Sequence, residues 1–108
     1  MDPPSEISPK DALPLLHNPA YVWIDVREDV EWNFGHLEGI QHMPMSTLNE
    51  ESFSRFPKTQ KIIIVCRSGN RSRSVTDALR GLGYTNVQNL SSGMHGLNSV
   101  MEKHIPVL

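Results

Sequence analysis

One cysteine, Cys66, is all that the chain contains. An intrachain disulfide is therefore excluded, as is any Cys-x-x-Cys pair for metal or redox chemistry. No apolar run approaches the ~20 residues that cross a bilayer, and Met1-Asp2-Pro3-Pro4-Ser5-Glu6 lacks the basic and apolar stretches of a secretory leader. A formal charge of −2 over 108 residues offers no global attraction to nucleic acid or to an anionic membrane. Any anion binding must then come from a local arrangement. His36, His42, His95 and His104 are scattered, with no i, i+4 pair beside an acidic residue, so no metal site is expected. Together these absences point to a cytoplasmic protein without membrane or nucleic-acid partners. An apolar fraction of 38% and a charged fraction of 20% fit an ordered domain of modest core.

What the chain does have is concentrated between Ile62 and Arg73. A β-branched run, Ile62, Ile63, Ile64 and Val65, leads into Cys66-Arg67-Ser68-Gly69-Asn70-Arg71-Ser72. A buried strand that ends in a glycine-containing turn and opens a helix aims backbone N–H groups and the positive end of the helix dipole at the turn's contents. A thiolate placed there is stabilised, and Arg67, Arg71 and Arg73 add cations that favour the charged form and attract an anionic substrate. Cys66 is thus the candidate nucleophile.

Strand and helix signals alternate, which favours an α/β fold with a largely parallel sheet. Ser8-Pro9 reads as a cap and first helical residue of a short helix running to about Asn18, made irregular by Pro14. Strands are expected over Tyr21 to Val26, Ile40 to Met43, Lys61 to Val65 and Val87 to Leu90. Helical segments are expected over Glu28 to Asn33, Ser72 to Leu82 and Leu97 to Met101, with Gly35 stopping the first, and a further helical turn over Ser52 to Phe56. Trp23, Tyr21 and Phe34 are assigned to the core; Phe53, Phe56, Met45 and Met94 suit either core or the apolar rim of a pocket. In such sheets, ligands bind beyond the carboxyl ends of the strands. Asp25 and Arg27, Cys66, and Ser92-Gly93 all fall at such ends.

The stretch from Cys66 resembles the active-site loop of the rhodanese sulfurtransferases, Cys-x-x-Gly-x-Arg-Ser/Thr, matched by Cys66, Gly69, Arg71 and Ser72. A second signature of that family is matched by Asp25, Val26, Arg27, Glu31, Trp32, Gly35, His36, Leu37 and Gly39, with Pro44 beyond. The resemblance implies a rhodanese-like three-layer α/β domain occupying residues 1–108, with a core from about Ser5 to Met101 and a central, largely parallel sheet flanked by helices. It implies a Cys66 persulfide that carries sulfane sulfur from thiosulfate or a related small anionic donor to cyanide, a thiol, or a protein acceptor such as thioredoxin, with no cofactor. Arg67, Ser68, Gly69, Asn70, Arg71 and Ser72 are implied to bind substrate, with Ser68 and Asn70 giving side-chain hydrogen bonds within the loop and Ser72 capping the following helix. Asp25, Arg27 and Glu31 are implied to form a charged support beneath the loop, and His36 to fix the turn that follows.

Loop length bears on the chemistry. Cysteine phosphatases of related fold use Cys-x5-Arg around a phosphate, whereas Cys66 and Arg71 are spaced as Cys-x4-Arg. The shorter cradle suits a single sulfur atom. Two alternatives to the enzyme are a persulfide carrier in a protein relay and, further off, a cysteine-dependent phosphatase or arsenate reductase. A non-catalytic interaction domain is a third, and the retained cysteine speaks against it. The Gly-Gly pair and following tryptophan common near the family's C-terminus are here Ser92-Gly93, with Met94, Gly96 and Leu97 in the segment that follows.

Overall fold

The computed structural model describes residues 2–108. Five strands form one sheet: β1 (Glu6–Ile7), β2 (Tyr21–Asp25), β3 (Gln41–His42), β4 (Lys61–Val65) and β5 (Val87–Leu90). Their order is β1-β5-β4-β2-β3 and every pairing is parallel. All carboxyl ends therefore share one edge. The helices are α1 (Pro9–Ala12), α2 (Asp29–Phe34), α3 (Asn70–Gly81) and α4 (Gly93–Asn98).

The pleat of β4 sorts its side chains into two cores. Ile62 and Ile64 pack with Val75 and Leu79 of α3, with Phe53 and with Tyr84. Ile63 and Val65 pack with Ala12 of α1 and with Met94 and Leu97 of α4. The sheet is thus a middle layer between α3 on one face and α1 with α4 on the other. β4 lies inside the sheet with Ile62 through Val65 fully buried, which is why it reads as a continuous apolar run and not as an alternation.

The Ser8 side chain accepts the Asp11 N–H at 3.1 Å, and after Pro9–Ala12 the chain tightens into a 3-10 turn over Leu13–Leu15 at Pro14. Two expectations need correction. Phe34 is 54% exposed and not in the core, because α2 rests on the carboxyl edge of the sheet and turns its Val30 and Phe34 side outward. The helix expected from Leu97 begins four residues earlier, at Gly93, since Ser92 and Gly93 both take positive φ and turn the chain directly into it. The segment from Ser52 to Phe56 makes the turns expected of it, with Phe56 N–H donating to the Phe53 carbonyl at 3.0 Å. The two-residue strand β1 carries too short a pattern to be read, yet it pairs with β5 at the sheet edge.

Packing also continues past Met101. Ile105 and Val107 lie against the cluster containing Trp23 and Leu37, and the Asn98 side chain donates to the Ile105 carbonyl and accepts its N–H, both at 2.8 Å. The returning tail explains Gly35. Its φ of 177° is open to any residue, but an added Cβ would stand 2.3 Å from the Pro106 carbonyl oxygen. The glycine is there for space.

Candidate functional site

β4 ends at Val65, so Cys66 is the first residue beyond the carboxyl edge, and Gly69, in the left-handed region at φ 101°, turns the chain into α3. The loop closes on the sulfur. Gly69 N–H donates to Cys66 Sγ at 3.1 Å, Ser72 N–H at 3.4 Å and the Ser72 hydroxyl at 3.2 Å. Burial is the largest single influence on the thiol and pushes its pKa up. The Ser72 hydroxyl, then the backbone N–H groups of Ser72, Gly69 and Ser68, more than reverse it, and the pKa lies below the ordinary 9.0. Only 1% of Cys66 is exposed, so a partner meets the sulfur through the mouth of the loop.

The loop's carbonyls are held on the outside. Met94 N–H donates to the Cys66 carbonyl at 2.9 Å and His95 N–H to the Arg67 carbonyl at 3.2 Å. These are otherwise unpartnered donors of the first turn of α4. In a trans peptide the C=O and N–H point opposite ways, so the Arg67 and Ser68 N–H groups turn away from α4. Gly93 permits the approach: a Cβ there would stand 2.3 Å from the Cys66 oxygen and 2.7 Å from the Arg67 carbonyl.

Two ion pairs stand within reach of each other's charge at this edge of the sheet. Arg27, wholly buried, donates from Nε to Asp25 Oδ1 and Oδ2, both at 3.0 Å, and from Nη2 to Asp25 Oδ2 and the Gly35 carbonyl, both at 2.8 Å. Glu31 of α2 takes Arg71 in a fork, Nη1 to Oε1 at 2.6 Å and Nη2 to Oε2 at 2.8 Å. The Arg71 guanidinium holds the Glu31 carboxyl well below its usual range, at about 2, and Glu31 raises Arg71 in return. Glu28 and Glu31 form a reciprocal cap on α2. Glu28 also accepts the Ser46 N–H at 3.1 Å and its hydroxyl at 2.5 Å, which locks α2 to the following 3-10 turn.

Trp32 is sandwiched between His36, centroids 3.7 Å apart, and His42, 4.4 Å apart. A carbonyl can only accept, so His36 Nδ1–H donates to the Trp32 carbonyl and His42 Nε2–H to the Arg27 carbonyl, both at 2.7 Å. His36 therefore secures the end of α2, and its contacts here are to Trp32 and not to the turn that follows.

Of the residues singled out from sequence, Gly69 and Ser72 meet the Cys66 sulfur directly, and several others take roles different from those expected. Ser72 does not cap α3: Gly69 occupies the cap position and Ser72 lies in the first turn with its hydroxyl on sulfur. The side chains of Ser68 and Asn70 are exposed, and among the described residues neither makes a hydrogen bond within the loop. Arg71 is engaged by Glu31, and Arg73 lies 3.4 Å from the Glu6 carboxylate. Arg67 is the exposed loop cation without a carboxylate partner among the described residues. His95 is exposed and reaches the site only through its backbone. Phe53 and Met94 are core residues; Met45 and Phe53 also line an apolar groove beside α3, none of whose lining residues belongs to the Cys66–Ser72 loop. Leu97 of α4, in the segment where the tryptophan common in the family is missing, is fully buried. Among the described residues no three His, Cys, Asp or Glu side chains converge on a metal position, and no helix is long and apolar enough to cross a membrane.

Sequence reading missed the α4 donors and Asn89, whose amide Nδ2–H reaches the Gly69 carbonyl at 3.1 Å. Backbone donors carry no residue signature, and Asn89 looks like any polar residue in a strand.

Known proteins resemble this chain in sequence and fold. The probable adenylyltransferase/sulfurtransferase MoeZ of Mycobacterium tuberculosis is 32% identical over 72 residues, 66% of this chain but only 18% of that protein, so the chain spans less than a fifth of its length. Thiosulfate sulfurtransferase GlpE of Tolumonas auensis is 28% identical over 96 residues, covering 89% of this chain and 90% of that one. The crystal structure of a rhodanese-related protein from Thermoplasma volcanium superposes with a TM-score of 0.77 at 28% identity, covering 97% and 98% of the two chains. The family model described as the rhodanese-like domain matches residues 8–99. With the cysteine loop at the carboxyl edge of a five-stranded parallel sheet, the chain belongs to the rhodanese-like sulfurtransferase family.

Proposed function

We propose that the protein moves sulfane sulfur through a persulfide on Cys66, taking it from thiosulfate or a donor of the same chemistry. The observation that carries this reading is the convergence of Gly69 N–H, Ser72 N–H and the Ser72 hydroxyl on one buried sulfur. Such a cradle stabilises an anion the size of one sulfur atom. The Cys66 thiolate attacks the outer sulfur of thiosulfate; an S–S bond forms to Cys66, the donor's own S–S bond breaks, and sulfite leaves with the electron pair. Cyanide or an acceptor thiolate then attacks the terminal sulfur, and Cys66 departs as thiolate. Thiocyanate or a new persulfide is the product. The donors on Sγ lower the thiol's pKa and so raise the share of thiolate available for attack, and the step as written uses no general base.

Arg67 is the loop cation open to solvent, and it is assigned to the sulfonate oxygens of the donor. Arg71 is held by Glu31 and acts as a positive support beside the sulfur. A phosphate ester would need more room than a loop whose peptide N–H and hydroxyl donors already sit 3.1 to 3.4 Å from Sγ. The test pairs a thiosulfate:cyanide assay with an aryl phosphate assay on the parent and on Cys66→Ala. Turnover by the parent that Cys66→Ala abolishes, with no phosphate hydrolysis by either, is expected. Activity retained in Cys66→Ala, or a phosphatase rate in the parent, overturns the reading; sulfur uptake without cyanide turnover assigns the protein to the carrier class.

A further inference from the structure

We infer that Asn89 is a positioning residue for the sulfur chemistry, holding the Gly69–Asn70 peptide so that the Asn70 N–H faces the mouth of the loop. This deepens the sulfur-transfer reading and rests on it for its functional consequence. Asn89 lies in β5, is 1% exposed and registers with Ile64 of β4 and Glu6 of β1. Its amide nitrogen has two hydrogens and two partners. One serves the Glu6 carboxylate, 3.0 Å from each oxygen, and the other the Gly69 carbonyl at 3.1 Å. Both partners only accept, so the NH2 end of the amide must face them and the side chain has a single orientation. Its Oδ1 is buried and, among the described residues, has no hydrogen-bond partner. A buried acceptor left unpaired is destabilising, and an apolar side chain would fill the same position without that penalty. The position is therefore held for the donor.

Donation to the Gly69 carbonyl sets the plane of a peptide at the mouth. The same carbonyl accepts the Arg73 N–H at 3.1 Å in the first turn of α3, so it points along the helix and away from Cys66. The bond is trans, and the Asn70 N–H must point the other way, out of the helix's N-terminus, as the Ser72 N–H on Sγ does. Gly69 is the point of weakness. With φ at 101° and no side chain, its peptide is the freest in the loop to rotate. Met94 and His95 fix the carbonyls of Cys66 and Arg67, and Asn89 fixes this one. On this reading a sulfur added to Cys66 extends toward the mouth, where the direction of the Asn70 N–H decides whether its charge is met.

The experiment compares the pH profile of Cys66 alkylation by iodoacetamide in the parent, Asn89→Leu and Glu6→Ala. Loss of the strut should raise the Asn89→Leu midpoint by roughly 0.5 to 1 pH unit and cut kcat/KM for thiosulfate by about tenfold or more. Glu6→Ala loosens the edge strand but keeps the Gly69 bond, so its midpoint should stay at the parent's. A purely structural Asn89 predicts no shift in folded Asn89→Leu, or equal shifts in both variants, and either result overturns the inference. If Asn89→Leu does not fold, the parent suffices: the Asn70 amide proton should move downfield in NMR spectra as Cys66 ionises, and a stationary resonance contradicts the proposal. Alkylation reads Cys66 whether or not the protein moves sulfur. A shifted profile in a protein without sulfurtransferase activity would thus refute the transfer reading and leave the loop strut standing.

Discussion

Ser72 shows how one hydroxyl can serve the sulfur more directly than a charge does. It is fully buried in the first turn of α3, 3.2 Å from Sγ, and its own N–H reaches the same atom at 3.4 Å. Ser72→Ala keeps the N–H and removes the hydroxyl. Since the Ser72 hydroxyl is the foremost influence lowering the thiol, the variant's alkylation midpoint should rise toward the ordinary value near 9.0. A hydrogen bond to a charged group is worth about 1.5 to 3 kcal/mol, so kcat/KM at pH 7 should fall roughly tenfold to a hundredfold. An unchanged midpoint would remove the hydroxyl from the account. At this scale the sequence was informative about identity and less so about role. Cys66, Gly69 and Arg71 stand in a spacing that only a turn into a helix explains. Which acceptor the Ser72 hydroxyl serves depends on the way the loop closes on Sγ, and which carboxylate occupies Arg71 depends on α2 arriving from 40 residues earlier in the chain to place Glu31 there.

Between elements, the decisive contact is α4 against the cysteine loop. The first turn of α4 offers its N–H groups to the Cys66 and Arg67 carbonyls, and only a residue without a side chain lets it come so near. Gly93→Ala places a methyl 2.3 Å from the Cys66 oxygen at a φ of 51°. The neighbour is backbone and cannot swing aside, so the helix or the loop must shift. A loss of about 2 kcal/mol or more in stability is expected, read as a lower thermal midpoint, with sulfur transfer reduced further than that midpoint alone would produce. Parent-like melting and activity would mean that the loop does not depend on α4. β4 and α3 were legible because a buried β-branched run and a helix bounded by glycines carry strong local signals. The early start of α4 was not, because Ser92 takes φ 61°, a conformation that its side chain does not announce. β1 escaped for a related reason: two residues have no period.

Over the whole molecule, one sheet gathers three strand ends into a site, and the cost of assembling it appears in acid. Glu31 titrates near 4.5 when free and at about 2 in the fold. A carboxylate depressed on folding contributes stability that is complete above its unfolded value and disappears as pH falls through the folded one. Arg71 is 34% exposed, and solvent screening there keeps the contribution on the order of 1 to 2 kcal/mol. Stability should therefore decline between about pH 4.5 and 2, and Glu31→Gln should flatten that part of the curve in denaturant titrations; identical slopes in both proteins would show that the pair is not coupled to folding. The α/β class and the carboxyl-edge location of the site followed from alternating strand and helix signals. The inward packing of Ile105 and Val107 did not, since it is fixed by Asn98 and by the space at Gly35, neither of which marks a tail in the sequence.

The central claim is that Cys66 itself carries the sulfur. Intact-mass measurement of the protein after incubation with thiosulfate and removal of excess reagent tests it most directly, with Cys66→Ala treated alongside. The account predicts a gain of one sulfur atom in the parent, reversed by a thiol reductant and absent from the variant. An unchanged parent mass, or an equal gain in Cys66→Ala, would contradict it.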